Sequence, residues 1–251
     1  MEKSITIVMT YYNRRPQLLR TLESIRSFGN PEIIIIDDCS TERIDDIQGI
    51  NLIRMEQDQK WWFNSCVLYN AGFSQATGDI IIIQNPECVH VGNILSYTRK
   101  LTSGNLFSFA AYSLDRDLEY KTYNPEELKK FIQNEPQQCQ VNHYGWYNHS
   151  VYRPEALHFC NAICREDLEL IGGFDERYAN GICFDDNDLV HRIRRAGINI
   201  QIIDDPFVIH QKHERTDYSR KWNKRMHNFD IFTKALKETY IKPPNNKYYG
   251  C

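Results

Sequence analysis

The apolar positions of the first hundred residues fall into two alternating patterns. Ile5-Thr6-Ile7-Val8-Met9, Ile33 to Ile36 and Ile80 to Ile83 are short continuous runs rich in β-branched residues. Such runs predict strands buried on both faces, as in a parallel sheet covered by helices. Between them, Leu18, Leu19, Leu22, Ile25 and Phe28 recur at helical spacing, with Pro16 in the first turn and Gly29-Asn30-Pro31 closing the segment. Asn64 to Ala76 predicts a second helix, ended by the turn Thr77-Gly78-Asp79. Strands and helices in this alternation imply right-handed crossovers and an open, twisted α/β sheet. Ligands bind beyond the carboxyl ends of the strands in such sheets. Polar residues collect there: Thr10-Tyr11-Tyr12-Asn13-Arg14, Asp37-Asp38 and Gln84-Asn85-Pro86-Glu87.

The second half is less regular. Asn105 to Tyr112 and His158 to Ile163 predict strands, and Asn124-Pro125-Glu126-Glu127 predicts a helix start capped by Asn124. Glu166 to Ile171 predicts a short helix ended by Gly172-Gly173, whose glycines permit a tight turn or a close approach to a ligand. Asp186 to Ala196 predicts a helix stopped at Gly197, Asn199 to Ile203 a strand, and Ser219 to Thr239 a last helix. The tail from Ile241 is rich in Pro and Asn and is expected to be loose. From Glu135 to Arg153 no period is visible. This stretch, rich in Trp, Tyr, His and Asn, reads as a binding surface or a loosely packed connector; aromatic faces suit sugar rings.

Composition narrows the class without naming an activity. With 41% hydrophobic residues in 251, the chain can bury one sizeable core. A net charge of −3 gives no electrostatic case for a nucleic-acid binder. No apolar run reaches the length of a transmembrane helix, about 18 residues. The first residues, MEKSITIVMTYYNRR, have no apolar core of signal-peptide length, so a soluble, cytoplasmic protein is expected. Eight cysteines without a CxxC pair and without an export signal predict reduced thiols and no zinc knuckle.

Chemistry enters through a set of strings. TIVMTYYNR, IIIIDDCS, YNAGFSQATGD, IIIIQNPECVHVG, IGGFDERY, FDDNDLVHRI and PFVIHQKH run from Ile5 to about His213. In order and spacing they resemble a family 2 glycosyltransferase with the GT-A fold, a Rossmann-like, mostly parallel twisted sheet flanked by helices in a single domain. The resemblance implies a domain over residues 1–240. Residues 1–100 would be the nucleotide-binding half, 101–215 the acceptor and catalytic half, 216–240 a C-terminal helix and 241–251 a flexible tail. It also implies transfer of a sugar from a nucleoside diphosphate sugar, expected to be a UDP-sugar, to a glycan or other hydroxyl acceptor.

Site residues follow from that resemblance. Asp38 is expected to meet the uracil or ribose, with Thr10, Tyr12, Asn13 and Arg14 as the other wall. Asp37 and Asp38 end an apolar strand, where adjacent carboxylates are costly unless they meet ligands or cap the following turn. Family members place a D-x-D after the third strand to hold Mg²⁺ or Mn²⁺; here Asn85-Pro86-Glu87 takes its place, with Glu87 as the expected ligand. His210 resembles the histidine that completes the metal shell, and His213 is a second candidate. Asp185-Asp186 resembles the family's acidic pair at a helix start, where carboxylates are favoured. Asp186 is the expected general base for an inverting displacement, and Asp185 positions acceptor or donor sugar. Asp188 reads as a first-turn acid or a partner of Arg192, four residues on. Trp146, Tyr147, Asn148, His149 and Tyr152 are the expected acceptor surface, and Asp175 a sugar ligand or a turn residue.

Three other classes compete. A sugar-nucleotide nucleotidyltransferase would carry a glycine-rich basic loop after the first strand, where TYYNRRP has no glycine. An Asp-nucleophile phosphohydrolase would need D-x-D where this chain has Tyr-Tyr-Asn. A catalytically silent sugar- or nucleotide-binding module is favoured by Asn85 in place of an acid and disfavoured by Asp185, Asp186 and His210.

Overall fold

The first apolar run lies between the two four-isoleucine runs. A computed structural model of the chain describes residues 2–114, 124–141, 144–213, 221–244 and 246–249. Its first half comprises β1 (Ile5–Tyr11), α1 (Arg15–Arg26), β2 (Glu32–Asp37), β3 (Asn51–Arg54), α2 (Cys66–Phe73) and β4 (Ile80–Gln84). Then come β5 (Cys88–Val91), α3 (Ile94–Thr98), β6 (Asn105–Ser113), α4 (Pro125–Gln133) and β7 (Gly145–Asn148). The chain continues through β8 (Cys160–Cys164), α5 (Arg165–Ile171), α6 (Asp185–Arg195), β9 (Asn199–His210) and α7 (Trp222–Ala235).

One sheet holds all the strands in the order β3-β2-β1-β4-β8-β6-β9-β5, with β7 beside β6. Strands β3, β2, β1, β4, β6 and β9 run one way; β8, β5 and β7 run the other. The sheet is therefore mostly parallel, and its antiparallel members β5, β7 and β8 all follow β4 in the chain. Val8 sits opposite Ile34 and Ile83, so the register alternates cleanly between two buried faces. Ile7, Met9, Ile33, Ile35, Ile80 and Ile82 pack on Leu18, Leu22 and Ile25 of α1 and on Ile94 and Leu95 of α3. Val8, Ile34, Ile36, Ile81 and Ile83 pack on Val67, Leu68 and Phe73 of α2 and on Leu189 and Ile193 of α6. Burial of each such side chain stabilises by about 1.5–3 kcal/mol, which fixes the strand ends in space. Gly72 lets α2 approach, since a Cβ there would lie 2.5 Å from both Val8 and Ile36.

Arg192 fixes α6, which carries the acidic pair. It is fully buried; its Nε donates to Asp188 Oδ2 at 2.7 Å, and its terminal nitrogens donate to the carbonyls of Ile171 and Gly173 at 2.7 and 2.8 Å. The i,i+4 pairing expected of Asp188 and Arg192 is therefore present, and it ties α6 to the Gly172-Gly173 turn. Both glycines have left-handed φ, +70° and +69°, so they make a tight turn. Their backbone approaches Lys242 and Asn70 rather than a ligand cleft.

Several elements differ from the sequence expectation. Strand β7 lies inside the stretch read as aperiodic, because both its faces are covered and no alternation is needed. Asn199 to Ile203 and the following apolar residues join into the single strand β9. Strands β3 and β5 are only four residues long and carry no clear signal. The tail is docked rather than loose: Asn246 is buried, donates to the carbonyls of Gly172 and Phe174 at 2.8 and 2.7 Å, and accepts from the Glu176 amide. Within the expected tail Asn245, Gly250 and Cys251 lie outside the described residues, as do 216–220 of the expected last helix and Asn142-His143. The seven described cysteines are free thiols. No helix among the described residues is long and apolar enough to cross a membrane.

Candidate active site

The carboxyl ends of β1, β2 and β4 open into a cleft of about 360 Å³ lined by Thr10, Tyr12, Arg14, Asp38, Asn85 and Pro86. Phe63, Asn64 and Tyr69 of the α2 region close one side, and His158, Gly181, Ile182, Cys183 and Asp185 the other. The volume lies in the ordinary range for small-molecule sites. Asp37 and Asp38 divide the two roles expected of the pair. Asp37 is fully buried, pairs with Arg54 and accepts from the Ser40 amide at 2.9 Å, so it holds the turn after β2. Asp38 faces the cleft, with Lys60 Nζ and Trp62 Nε1 each donating to it at 2.8 Å. Asn85 accepts from the Tyr69 hydroxyl at 3.1 Å.

Beside the cleft lies a compact cluster of one carboxylate and two imidazoles that could hold a cation. The turn after β4 carries Glu87; the end of β9 carries His210, with His213 just beyond. One ligand atom from each of the three lies within 4.8 Å of the other two. His210 Nε2 is 3.3 Å and His213 Nε2 3.4 Å from Glu87 Oε1. Arg14 reaches the same oxygen at 2.9 Å and joins the cluster to the cleft wall. Glu87 Oε2 is buried with no hydrogen-bond partner among the described residues. Such an atom is costly unless something else meets it. Burial favours the neutral acid, but Arg14, His210 and His213 outweigh it and hold Glu87 well below the usual carboxylate range. Two imidazoles and an ionised carboxylate form a donor set that fits a divalent transition metal.

Asp185 and Asp186 open α6 on the opposite wall. Asp185 is buried and accepts from Asn64 Nδ2 at 2.8 Å; the Asn64 carbonyl is fixed in turn by the Cys66 amide at 2.9 Å. Burial, then the adjacent charge of Asp186, pushes Asp185 up to about 6. Asp186 is more open, accepts from the Asn187 amide at 2.9 Å and lies 4.0 Å from His158 Nδ1. The His158 ring stands edge-on to Tyr69 and Phe174, which fixes it between the acid pair and the cleft.

Other residues expected at the site lie elsewhere. Asn13 adopts φ 46° and uses its carbonyl to accept from Thr41 Oγ1 and the Glu42 amide, tying two loops together behind the cleft wall. Trp146 is buried, with its ring against Tyr112 and Phe207 and its Nε1 donating to Gln137 at 3.0 Å. Tyr147 is buried too and packs 5.0 Å from the His210 ring, supporting it from behind. His149 accepts from the Val151 amide and sits between Trp146 and Tyr152. Asp175 is fully buried, accepts from the Arg177 amide and pairs with the Arg177 guanidinium. None of these five lines the cleft. Asn64, Tyr69 and His158 do, and the sequence reading singled out none of them. Asn64 is legible only as a helix start and His158 only as a strand start; the strand itself begins two residues later, at Cys160.

The model of the family described as glycosyl transferase family 2 matches residues 6–158, more than half of the chain, and the protein belongs to that family. Among solved structures, the mannosyltransferase PcManGT from Pyrobaculum calidifontis, in complex with GDP-Man and Mn²⁺, superposes with a TM-score of 0.58 at 16% identity. S. aureus TarS 1–349 gives 0.53 at 11% identity. The alignments cover 95% and 83% of this chain and 65% and 60% of those chains, so the protein spans less than two thirds of either neighbour. At these identities the likeness establishes the GT-A fold. No curated protein matches the sequence.

Proposed function

We propose that the protein transfers a sugar from a nucleoside diphosphate sugar, a UDP-sugar in our reading, to an acceptor hydroxyl with inversion. The observation that carries this reading is the cleft. It brings the strand-end residues Thr10, Tyr12, Arg14, Asp38 and Asn85 opposite Asp185, beside the Glu87 cluster. The nucleoside lies against Asp38 and Tyr12, where Lys60 and Trp62 already orient the carboxylate. Arg14 reaches the diphosphate from the nucleotide wall. Glu87, His210 and His213 hold the divalent ion, with Mn²⁺ favoured over Mg²⁺ because Mg²⁺ prefers an all-oxygen shell. When bound, such an ion neutralises charge developing on the leaving diphosphate.

The carboxylates at the start of α6 do the proton work. Asp186 removes the proton of the acceptor hydroxyl as it attacks the anomeric carbon. Asp185, held by Asn64, orients the sugar and keeps the pair's combined charge in check. A single displacement needs no covalent residue on the protein. The PcManGT complex with GDP-Man and Mn²⁺ supports a nucleotide-sugar donor and leaves the base open to test. A thermal-shift screen of UDP- and GDP-sugars, with Mn²⁺ or chelator, tests the reading, because a bound ligand stabilises in proportion to its occupancy. Stabilisation by a nucleotide sugar that depends on Mn²⁺ is the expected result; no shift with any nucleotide sugar would leave the silent module as the better account.

A further inference from the structure

We propose that the acceptor is anionic, and that Phe63, Lys221, Lys224 and Arg225 form the subsite for its charged residue; this rests on the transferase reading and names its second substrate class. The first turns of α7 pack on the cleft wall that carries the acid pair. The Ile182 amide donates to the Lys224 carbonyl at 3.2 Å, and Asn228 Nδ2 donates to the carbonyls of Tyr178 and Cys183. This docking sets Lys221 Nζ 4.4 Å and Lys224 Nζ 4.7 Å from the ring of Phe63, which lines the cleft and is 39% exposed. Arg225 lies 5.8 Å from the ring of Phe184, the residue before Asp185, and 5.9 Å from Trp222, which is 60% exposed.

Exposed aromatic faces interleaved with cations suit a sugar ring bearing a negative group. Lys221, at the N-cap of α7, is three residues from Lys224 and four from Arg225, which sets the three basic side chains near one another. No acidic residue stands in the first turn of α7. Among the described residues Lys224 donates only to the Asn180 carbonyl, at 3.3 Å, and no acid pairs with Lys224 or Arg225. An anion beside Lys224 and Arg225 supplies the counter-charge that no described acid gives them. The donor diphosphate is a poorer occupant, because Arg14 and the Glu87 cluster lie on the nucleotide side. The α7 cations border Phe63 and Phe184, on the side where the acceptor must reach Asp186.

Calorimetric titration with tetragalacturonate, a glycerol phosphate trimer and neutral maltotetraose tests this, with and without saturating UDP or GDP and Mn²⁺. The expected result is that one anionic probe binds about 10-fold or more tighter than maltotetraose and weakens with added salt. K224A/R225A should lose about 10-fold of that affinity, while K224R/R225K retains it and nucleotide affinity is unchanged in both. The anionic probe that binds distinguishes a carboxylate from a phosphate acceptor. Equal binding of maltotetraose and both anions overturns the proposal, as does an affinity indifferent to K224A/R225A. Loss of nucleotide affinity in that variant, with the anion unaffected, overturns it too by assigning these cations to the donor. Failure of UDP and GDP to bind the unaltered protein counts against the donor reading instead, and the titrations without nucleotide still decide the anion subsite.

Discussion

Glu87, beside the cleft, and Asp185, in its wall, are both buried carboxylates, 3% and 5% exposed, and their surroundings push them in opposite directions. Glu87, at the turn after β4, meets Arg14, His210 and His213 and stays ionised far into acid. Asp185, at the start of α6, meets a second carboxylate and a neutral amide, and it holds its proton up to about 6. Burial alone raises both; the neighbour decides the sign. In the proposed reaction this contrast separates two tasks, with Glu87 kept as an anion for the cation and the pair at the start of α6 kept for proton transfer.

The comparison is broken most directly at the acid pair. Asp186→Asn should lower transfer by about 10²–10⁴-fold, the usual contribution of a general base, with nucleotide affinity unchanged in calorimetry. Turnover equal to the unaltered protein would remove Asp186 as base. The unaltered enzyme should gain activity as pH rises through about 6, where the pair gives up its proton. A profile flat from about pH 5 to 8 would mean that the pair does not limit the reaction.

On the other side, Glu87→Gln and His210→Ala should each weaken Mn²⁺ binding by more than about 10-fold, read by calorimetry without substrate. Donor affinity should then become indifferent to chelator. If Mn²⁺ binds both variants as tightly as the unaltered protein, the cluster is not the metal site.

How far the sequence reveals this contrast depends on the kind of signal each residue carries. Runs such as Ile33 to Ile36 and Ile80 to Ile83 can only be buried strands, so the parallel half and its strand-end residues Thr10, Asp38 and Asn85 are legible without coordinates. Glu87, His210, Asp185 and Asp186 are legible through resemblance, as members of strings in a familiar order. Trp146 and Tyr147 mislead because β7 is covered on both faces, and a strand that short shows no alternation to betray its burial. Asp175 misleads for a related reason: a buried carboxylate that caps a turn and pairs with Arg177 looks in sequence like any polar residue near a site. Asn64 and His158 are invisible because their importance lies in contacts across more than a hundred residues, or across a ring stack, and no local pattern records those.

The smallest effect separates the two carboxylates most cleanly, because the same acid-to-amide change should move stability in opposite directions. Asp185 has a folded value of about 6 against 3.8 for a free aspartate side chain, so between those values the folded state binds more protons than the unfolded chain. Stability therefore falls as pH rises through that window, and the full penalty is present at pH 8. Asn at position 185 cannot ionise and still accepts from Asn64, so Asp185→Asn should stabilise by about 1–3 kcal/mol at pH 8 and by little near pH 4. Glu87 is the reverse. Its depressed folded value contributes stability that is present above the unfolded value and is lost as pH falls through the folded one. Glu87→Gln should therefore destabilise by about 1–3 kcal/mol at pH 8, since the Arg14 guanidinium loses its counter-charge. Urea melts of both variants at pH 4 and pH 8, run in chelator so that bound metal does not contribute, decide the matter. Shifts of the same sign at pH 8 would show that the two acids share one environment, and that the division between cation holder and proton acceptor does not exist.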